Sequence, residues 1–458
     1  HTTVIAASYL AEDAELNKAE TYFTQLEYNL QRTIDKIPNT YRYSQYGYGN
    51  INERYYNISA IDHNPSEVLA YLTSLRGEFK AANVKNDIKT LFDEMFQLDY
   101  REENIIVDSR WDSELGWIPI YHNILYVTLK ARSADEVIHS GKKGTPPTPY
   151  KWLDGNDMIM YELRRDFRGN RFYFDSSTDF DWTYYAGGNF GYQYRYEDGS
   201  YIVNDNSKAK IRAGQKIKAP IAGIIVISGD IISVENKSSG LKIWFGGCSE
   251  FVSPEGAQVN KGDEIAVSGD NLSIQAQLND LPLNPVIFVD TGEMTIQGGE
   301  PVNNKNFQVS AGALRDRDFA RLIDKARPYI GKRYYFNACD PENSQFDNVG
   351  LICYVYNLQL WIPMGEGMSR RALPQDIYTW CGAVPENEIK PGDLAFFAAT
   401  YPTPPIPDSD EKVATQIGIY VGDGHMLVCG DPIGFANVNT PYWQARLLGY
   451  GRVRPASS

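Results

Sequence analysis

The sequence predicts a multidomain α+β protein with an N-terminal helical and small α/β region, a central all-β section and a C-terminal α+β domain. Three observations carry that expectation. A chain of 458 residues suits two to four domains, each large enough for its own core. Apolar residues recur at helical period through most of residues 16–98, whereas from Gly191 to Asp290 short apolar runs are separated by glycine turns with no helix-length pattern. Near the C-terminus one apolar helix signal is followed by two strand-like runs, each punctuated by turn residues.

In the N-terminal part, Leu16, Phe23, Leu30 and Ile37 repeat every seven residues, Ala19, Leu26 and Ile34 fill the adjoining face, and Pro38 ends the run. Such a stripe is more often a core-facing helix than a dimer zipper. A Tyr/Asn/Gly-rich loop follows. Ser66–Leu75 then reads as a helix with Pro65 just before it, and Val84–Leu98 as another with Val84, Ile88, Leu91, Phe92, Met95 and Phe96 on one face. The run Ile124–Leu129 reads as a strand that completes a small α/β unit. His63, His122 and His139, scattered among helix start, strand entry and loop, read as structural or surface histidines.

The centre offers Ile217–Val226, Gly240–Phe245 and Val259–Ala266 as strands, which suits a small sandwich or barrel. In the C-terminal part, Asp347 or Asn348 can cap a helix carrying Leu351, Ile352, Tyr354, Val355 and Leu358, with Gly350 allowing close packing in its first turn. Lys390–Phe397 and Gln416–Gly424 are the strand-like runs. The tracts at 141–149 and 298–304 read as joints. They place domains at 1–150, 151–297 and 298–458.

A net charge of −14 and a pI near 5.0 oppose nucleic-acid binding and adhesion to anionic lipid. No run of some twenty apolar residues could span a membrane. The five cysteines are widely spaced, with no Cys-x-x-Cys, so neither a zinc knuckle nor a dense disulfide framework is expected, and an odd count leaves at least one thiol free. Thirty-two tyrosines suit amphipathic surfaces; the clusters Tyr41, Tyr43, Tyr46 and Tyr48, and Tyr192, Tyr194 and Tyr196, could also stack on sugars or peptides.

The frame Phe346-Asp347-Asn348-Val349-Gly350-Leu351, with the two downstream runs and the closing Pro441-Tyr442-Trp443 and Gly449-Tyr450-Gly451-Arg452-Val453, resembles the NlpC-type papain-like peptidases that cut peptide stems of bacterial cell walls. In that family the turn reads Asp-Cys-Ser-Gly, a strand begins His-Val-Gly, and a third polar residue lies on the next strand. Here those catalytic positions are Asn348, Gln416 and Val428, and Val349 replaces the serine. A thiolate at a helix N-terminus is stabilised by the dipole and a neighbouring imidazolium. An Asn carboxamide has no such form, and Gln416 has no proton to exchange near neutral pH. The resemblance also implies a vestigial groove lined by Tyr334, Phe336 and Arg371, with Asn337 and Ala338 where glycines are usual. Cys353 lies about 140° round the helix from Asn348, so it should face elsewhere.

The central segments resemble the LytM/lysostaphin-type zinc endopeptidases, whose signature is His-x-x-x-Asp, a later histidine after an aromatic, and a His-x-His pair. Matched on Ala219-Pro220 and Asn284-Pro285, these zinc-site positions fall on Asn204, Lys208, Gly247 (beside Cys248), Asn271 and Ser273. No histidine stands between His139 and His425, so neutral imidazole ligands are missing. The expectation is therefore no metal and no cofactor.

The N-terminal section is similar to leader regions of cell-wall hydrolases carried by conjugative elements of Gram-positive gut bacteria. The combined resemblance implies an extracellular or envelope-associated protein, and a start at His1 leaves room for a removed upstream signal or anchor. The leading functional expectation is a pseudoenzyme that binds peptidoglycan or scaffolds envelope or conjugation proteins. One alternative is an active peptidase with relocated residues such as Cys353 or Cys429; another is a structural, oligomerising envelope protein.

Overall fold

The computed structural model describes residues 9–140, 152–166, 169, 180–184, 190–204, 207–211, 213–285, 305–398 and 412–454. The joint tracts 141–149 and 298–304 lie outside the described residues. Helices and sheets are mixed, and the chain falls into two compact units: one of residues 10–154 and 177–289, the other of 1–9, 155–176 and 290–458. That division differs from the three sections marked by the Gly/Pro tracts, because the N-terminal helices and the central sheet share one unit.

In the first unit, α1 (Asp13–Asp35), α2 (Pro65–Arg76) and α3 (Ala81–Met95) pack together. Each has a local reason to form. Pro65 opens α2 at a position where the missing N–H costs nothing, and the Asn64 side chain caps it by accepting from the Ser66 N–H at 3.0 Å. The α1 stripe is core-facing: Leu16, Ala19, Phe23 and Ile34 are buried, and Phe23 meets Phe92 of α3 edge-on at 5.5 Å. Leu16, Phe23 and Ile34 each stabilise the unit by about 1.5–3 kcal/mol. The same stripe also buries Glu20, Thr24 and Glu27, which the heptad pattern does not anticipate.

The expected helix to Leu98 stops at Met95, where Phe96 turns to extended backbone and begins a long hairpin. The β-branched and aromatic content of 96–111 outweighs the helical period at that point. The hairpin strands β2 (Phe96–Asp112) and β3 (Gly116–Ala131) form a sheet of order β1-β3-β2 with β1 (Glu53–Ile58), which runs parallel to Ile124–Leu129. The expected strand at 124–129 is thus the inner third of a longer one.

The central section is a nine-stranded antiparallel sheet whose middle is β6 (Gly223–Ser228), β7 (Ile231–Asn236), β8 (Leu241–Phe251) and β9 (Glu264–Leu278), with β5 (Ser207–Ile211) on the far side of β9. Strand β4 (Ser200–Asn204) belongs to a separate three-stranded sheet. Ile225, Ile232, Val234, Ile243, Phe245 and Ile274 are buried, the period-2 pattern of a sheet with a covered face.

The second unit holds a six-stranded antiparallel sheet of order Gly382–Val384, β14 (Leu447–Arg452), β10 (Leu394–Ala398), β11 (Ala414–Gly422), β12 (His425–Val428) and β13 (Gly434–Asn437). Leu394, Phe396, Ile417, Ile419 and Leu427 face one core with Leu351, Ile352 and Val355 of α6 (Asn348–Tyr356) and Phe319 and Ile323 of α5 (Arg317–Ala326). Ala395, Phe397, Met426, Val428 and Trp443 form a second cluster.

Helix α4 (Gly155–Asp166) packs in this unit. Its Met160 joins the core, its fully buried Arg164 pairs with buried Asp431, and its Asn156 side chain bonds the backbone of Tyr334 and Phe336 at 3.0 Å each.

Candidate functional site

Helix α6 starts where a short polar side chain can cap it. Buried Asp347 accepts from the Gly350 N–H at 2.7 Å and from Arg371 Nη2 at 2.8 Å. Burial pushes the Asp347 carboxyl up, and the Arg371 charge and the Gly350 N–H oppose that rise. Arg371 Nη2 also donates to the Ala338 carbonyl at 3.1 Å. The guanidinium expected to line a groove therefore holds the turn. Gly350 is required here: a Cβ would lie 2.1 Å from the Ala338 oxygen.

Asn348 is the first residue of α6 and is buried. Its Nδ2 donates to the Thr415 carbonyl at 3.4 Å, which sets the helix N-terminus beside β11 one residue before Gln416. Gln416 is fully buried opposite Phe397, and its Nε2 makes only a 3.4 Å bond to the Ile417 carbonyl. Asn348 Oδ1 and Gln416 Oε1 are both buried without a donor. Val428 lies on β12 opposite Gly418, two residues from Gln416 along β11, so side chains 416 and 428 share a sheet face. Val428 contributes to the apolar cluster there.

The neighbourhood thus contains two carboxamides and a valine. It has hydrogen-bonding capacity but no group that titrates near neutrality. Tyr334 bridges to Phe346 and is buried in the core, while Phe336 is part-exposed with its N–H on Asn156. The structure separates this aromatic pair. Asn337 between them takes φ +57°, which asparagine tolerates better than most residues.

All five cysteines are free. Cys353 is buried in the core of α6 and its thiol is pushed up to about 12 by burial. Burial also lifts Cys381 and Cys248 to about 11, Cys429 well above the ordinary range, and Cys339 to a lesser degree. None of these surroundings favours the thiolate. His425 packs its ring on Phe307 at 4.1 Å.

In the central sheet, Ser273 of β9 stands between Lys208 of β5 and Gly246 of β8. Gly247 is at φ +79°, and a Cβ there would lie 2.0 Å from the Asn271 carbonyl oxygen. The backbone of Asn271 thus occupies the space a side chain at 247 would need. Asn204 ends β4 in the other sheet. The side chains of Asn204 and Lys208 lie outside the described residues. Among the described residues no group of three or more His, Cys, Asp or Glu is arranged to hold a metal ion.

The strongest polar constellation in the first unit is one that spacing alone does not reveal. His63, fully buried, bonds Glu27 through Nδ1 at 2.7 Å and Glu20 through Nε2 at 2.8 Å. The signal was Glu20 and Glu27 seven residues apart on an otherwise apolar stripe. His122 meets Glu53 at 3.1 Å and His139 meets the Asp135 carbonyl at 2.9 Å, both at the surface. The residues of α4 that dock against Tyr334 and Asp431 were also missed, since an amphipathic helix does not announce its partner.

Residues 331–452 match the NlpC/P60 family model. Among curated relatives, the chain is 29% identical over 154 residues to the bifunctional muramidase/DL-endopeptidase CwlT of Bacillus subtilis, across 33% of this chain and 41% of that protein. It is 31% identical over 133 residues to the probable endopeptidase p60 of Listeria welshimeri, across 29% of this chain and 22% of that one. The chain spans less than half the length of these relatives. Similar solved structures include an NLP/P60-family protein of Staphylococcus aureus described as similar to lipoprotein (TM-score 0.25, 24% identity, 39% of this chain and 52% of that one). Another is the catalytic domain of lysostaphin from Staphylococcus simulans (TM-score 0.20, 20% identity, 24% and 91%).

Proposed function

We propose that this protein is a pseudoenzyme of the cell envelope, whose NlpC/P60 region holds wall peptide without cutting it. The observation that carries the reading is the set Asn348, Gln416 and Val428 at the three positions where the family resemblance expects thiol, imidazole and a polar orienting group. A peptidase of this class needs a thiolate and an acid-base partner. Neither Asn348 nor Gln416 supplies one, and burial raises every cysteine in the chain away from the thiolate. That last point weighs against a relocated nucleophile.

The substrate class comes from the relatives' names, an endopeptidase and a muramidase/DL-endopeptidase. Asn348 Oδ1 and Gln416 Oε1 are buried and accept no hydrogen bond; on this reading the turn at Asn348 opens to let the amide N–H groups of a peptide reach them. The absence of imidazole ligands and the backbone that fills the space at Gly247 support the same non-catalytic reading of the central sheet.

The test is a pull-down of the purified chain with intact peptidoglycan sacculi, beside turbidity and muropeptide-release assays on the same sample. Binding without release is expected. Release abolished by a thiol blocker or a chelator would overturn the reading, and no retention on sacculi would shift it to the scaffolding role in conjugative transfer.

A further inference from the structure

The hairpin of β2 and β3 carries an aromatic surface that the NlpC/P60 region does not use. Strand β1 pairs with β3 only from Ile124 onward, so residues 105–120 form a two-stranded ribbon with no third strand among the described residues. A bare ribbon is marginal in water, yet this one is long and richly apolar at the surface. Trp111 is 65% exposed, Trp117 68% and Ile106 61%.

The two faces of the ribbon differ. The register pairs Trp111 with Trp117, Ser109 with Pro119, Ile106 with Tyr121 and Asn104 with Asn123. Cross-strand partners share a face, so from Trp111 to Asn104 this face holds no charged side chain, in a chain of net charge −14; its first carboxylate is Glu102, paired with Leu125 beyond Asn104 and engaged by Asn104, Tyr41 and Ser44. Asp108, Arg110, Asp112 and His122 all fall on the other face. The two tryptophans meet edge-to-face at 5.6 Å. Tyr121, about 14 Å further along β3 at a rise of 3.4 Å per residue, is stacked by Tyr48 at 4.1 Å, and Tyr46 lies beyond at 6.2 Å. Asn123 fixes that tyrosine loop by donating to the carbonyls of Tyr48 and Asn50 at 2.8 and 2.9 Å.

Neither ribbon edge is suited to a further strand. Val107 is an extra residue between Ile106 and Asp108, a bulge that twists the β2 edge away from pairing, and Pro119 lacks an N–H. Strand addition by a second copy is therefore disfavoured, and the aromatic face is what remains for recognition. Anionic lipid or nucleic acid would call for cations, which this face lacks. A row of exposed aromatic rings on an uncharged stretch, bordered by amides, hydroxyls and the Glu102 carboxylate as hydrogen-bonding groups, matches the apolar C–H faces and hydroxyl edges of sugar rings.

We propose that the Trp111/Trp117/Tyr121 face binds an uncharged glycan strand. This site is separate from the peptide site proposed for Asn348 and Gln416 and does not depend on it. The test uses the full chain and chitohexaose, an uncharged N-acetylglucosamine oligomer that contains no peptide, with binding read by calorimetry. Saturable binding is expected, weakened on the order of tenfold or more in Trp111→Ala/Trp117→Ala and unchanged in Trp361→Ala, an exposed tryptophan of the other unit.

Unaltered far-UV circular dichroism shows that the exposed substitutions leave the fold intact. No chitohexaose binding, or equal binding by the double variant, overturns the proposal. So does a wild-type preference for phosphatidylcholine/phosphatidylglycerol vesicles, or self-association by light scattering that the double variant abolishes. Chitohexaose binding without binding of a free wall stem peptide would count against the peptide-site proposal alone.

Discussion

Raising the pH should loosen the three-helix part of the first unit, and Glu27 sets where. Glu20, His63 and Glu27 form a fully buried chain of hydrogen bonds. Burial lifts the Glu27 carboxyl to about 7 against the lowering effect of His63, with Glu20 and nearby Asp62 adding to the rise. The two glutamates hold His63 well above its ordinary range although burial opposes them. Both folded values exceed the unfolded ones, so both contributions are complete at low pH and are lost as pH rises. The Glu27 part is present in full below about 4.5 and fades through about 7; the His63 part begins to fade above about 6.5.

For Glu27, a rise from 4.5 to about 7 corresponds to about 3 kcal/mol, a change on the order of a hundredfold in an opening equilibrium. Hydrogen exchange of peptides covering 13–35 and 63–76, corrected for the intrinsic pH dependence, reads that equilibrium locally. Protection should fall between pH 5 and 8. In Glu27→Gln, which keeps a polar partner near His63 Nδ1 but removes the titration, the part of the fall that runs from about pH 4.5 to about 7 should largely disappear. An equal fall in wild type and variant would refute the assignment, because the linked proton would then belong elsewhere.

Three further outcomes are expected. Gln416→Met should raise the stability of the second unit by about 1 kcal/mol in urea unfolding, since it replaces a buried amide whose Oε1 has no donor with an apolar chain of similar length; destabilisation would mean that the amide is satisfied. Gly247→Ala should cost about 2 kcal/mol or more, from the φ of +79° and the 2.0 Å approach of the Asn271 carbonyl; a neutral result would mean that β8 moves freely away from β9. Native protein should alkylate slowly with iodoacetamide at pH 7, Cys353 and Cys429 only after unfolding, because burial raises every thiol; one rapidly modified cysteine would reopen the case for a relocated nucleophile.

Where periodicity and capping chemistry dictate structure, the sequence was legible. Pro65 and Asn64 at the start of α2, Asp347 capping α6 and the core-facing stripe of α1 follow from local rules. The end of α3 did not, because Val84–Leu98 keeps an apolar helical period across Met95 while long-range pairing of Phe96 with Ala131 claims the backbone for a strand. Long-range partners were likewise hidden. Nothing near Arg164 in sequence points to Asp431, and nothing near Arg371 points to Asp347. At the candidate site the chain order indicated which positions are neighbours, but the resemblance offered Tyr334 and Arg371 as groove residues, and packing places the first in the core and the second on the helix cap.

The two candidate sites differ in what shapes them. At the start of α6 the frame of a helix N-terminus beside a strand persists. Asp347, Gly350 and Arg371 fix the turn, and Asn348 and Gln416 occupy their places with side chains that retain hydrogen-bonding atoms. On the proposed reading, only the side chains at 348 and 416 set that arrangement apart from one that holds a thiolate. In the central sheet the obstacle is backbone: β8 and β9 approach so closely at Gly247 that no side chain fits without moving a strand. A site closed by strand packing is removed from ligand chemistry altogether, whereas one altered only in its side chains keeps the shape against which a peptide can be held. That asymmetry favours the NlpC/P60 region over the sheet as the place of the proposed binding role.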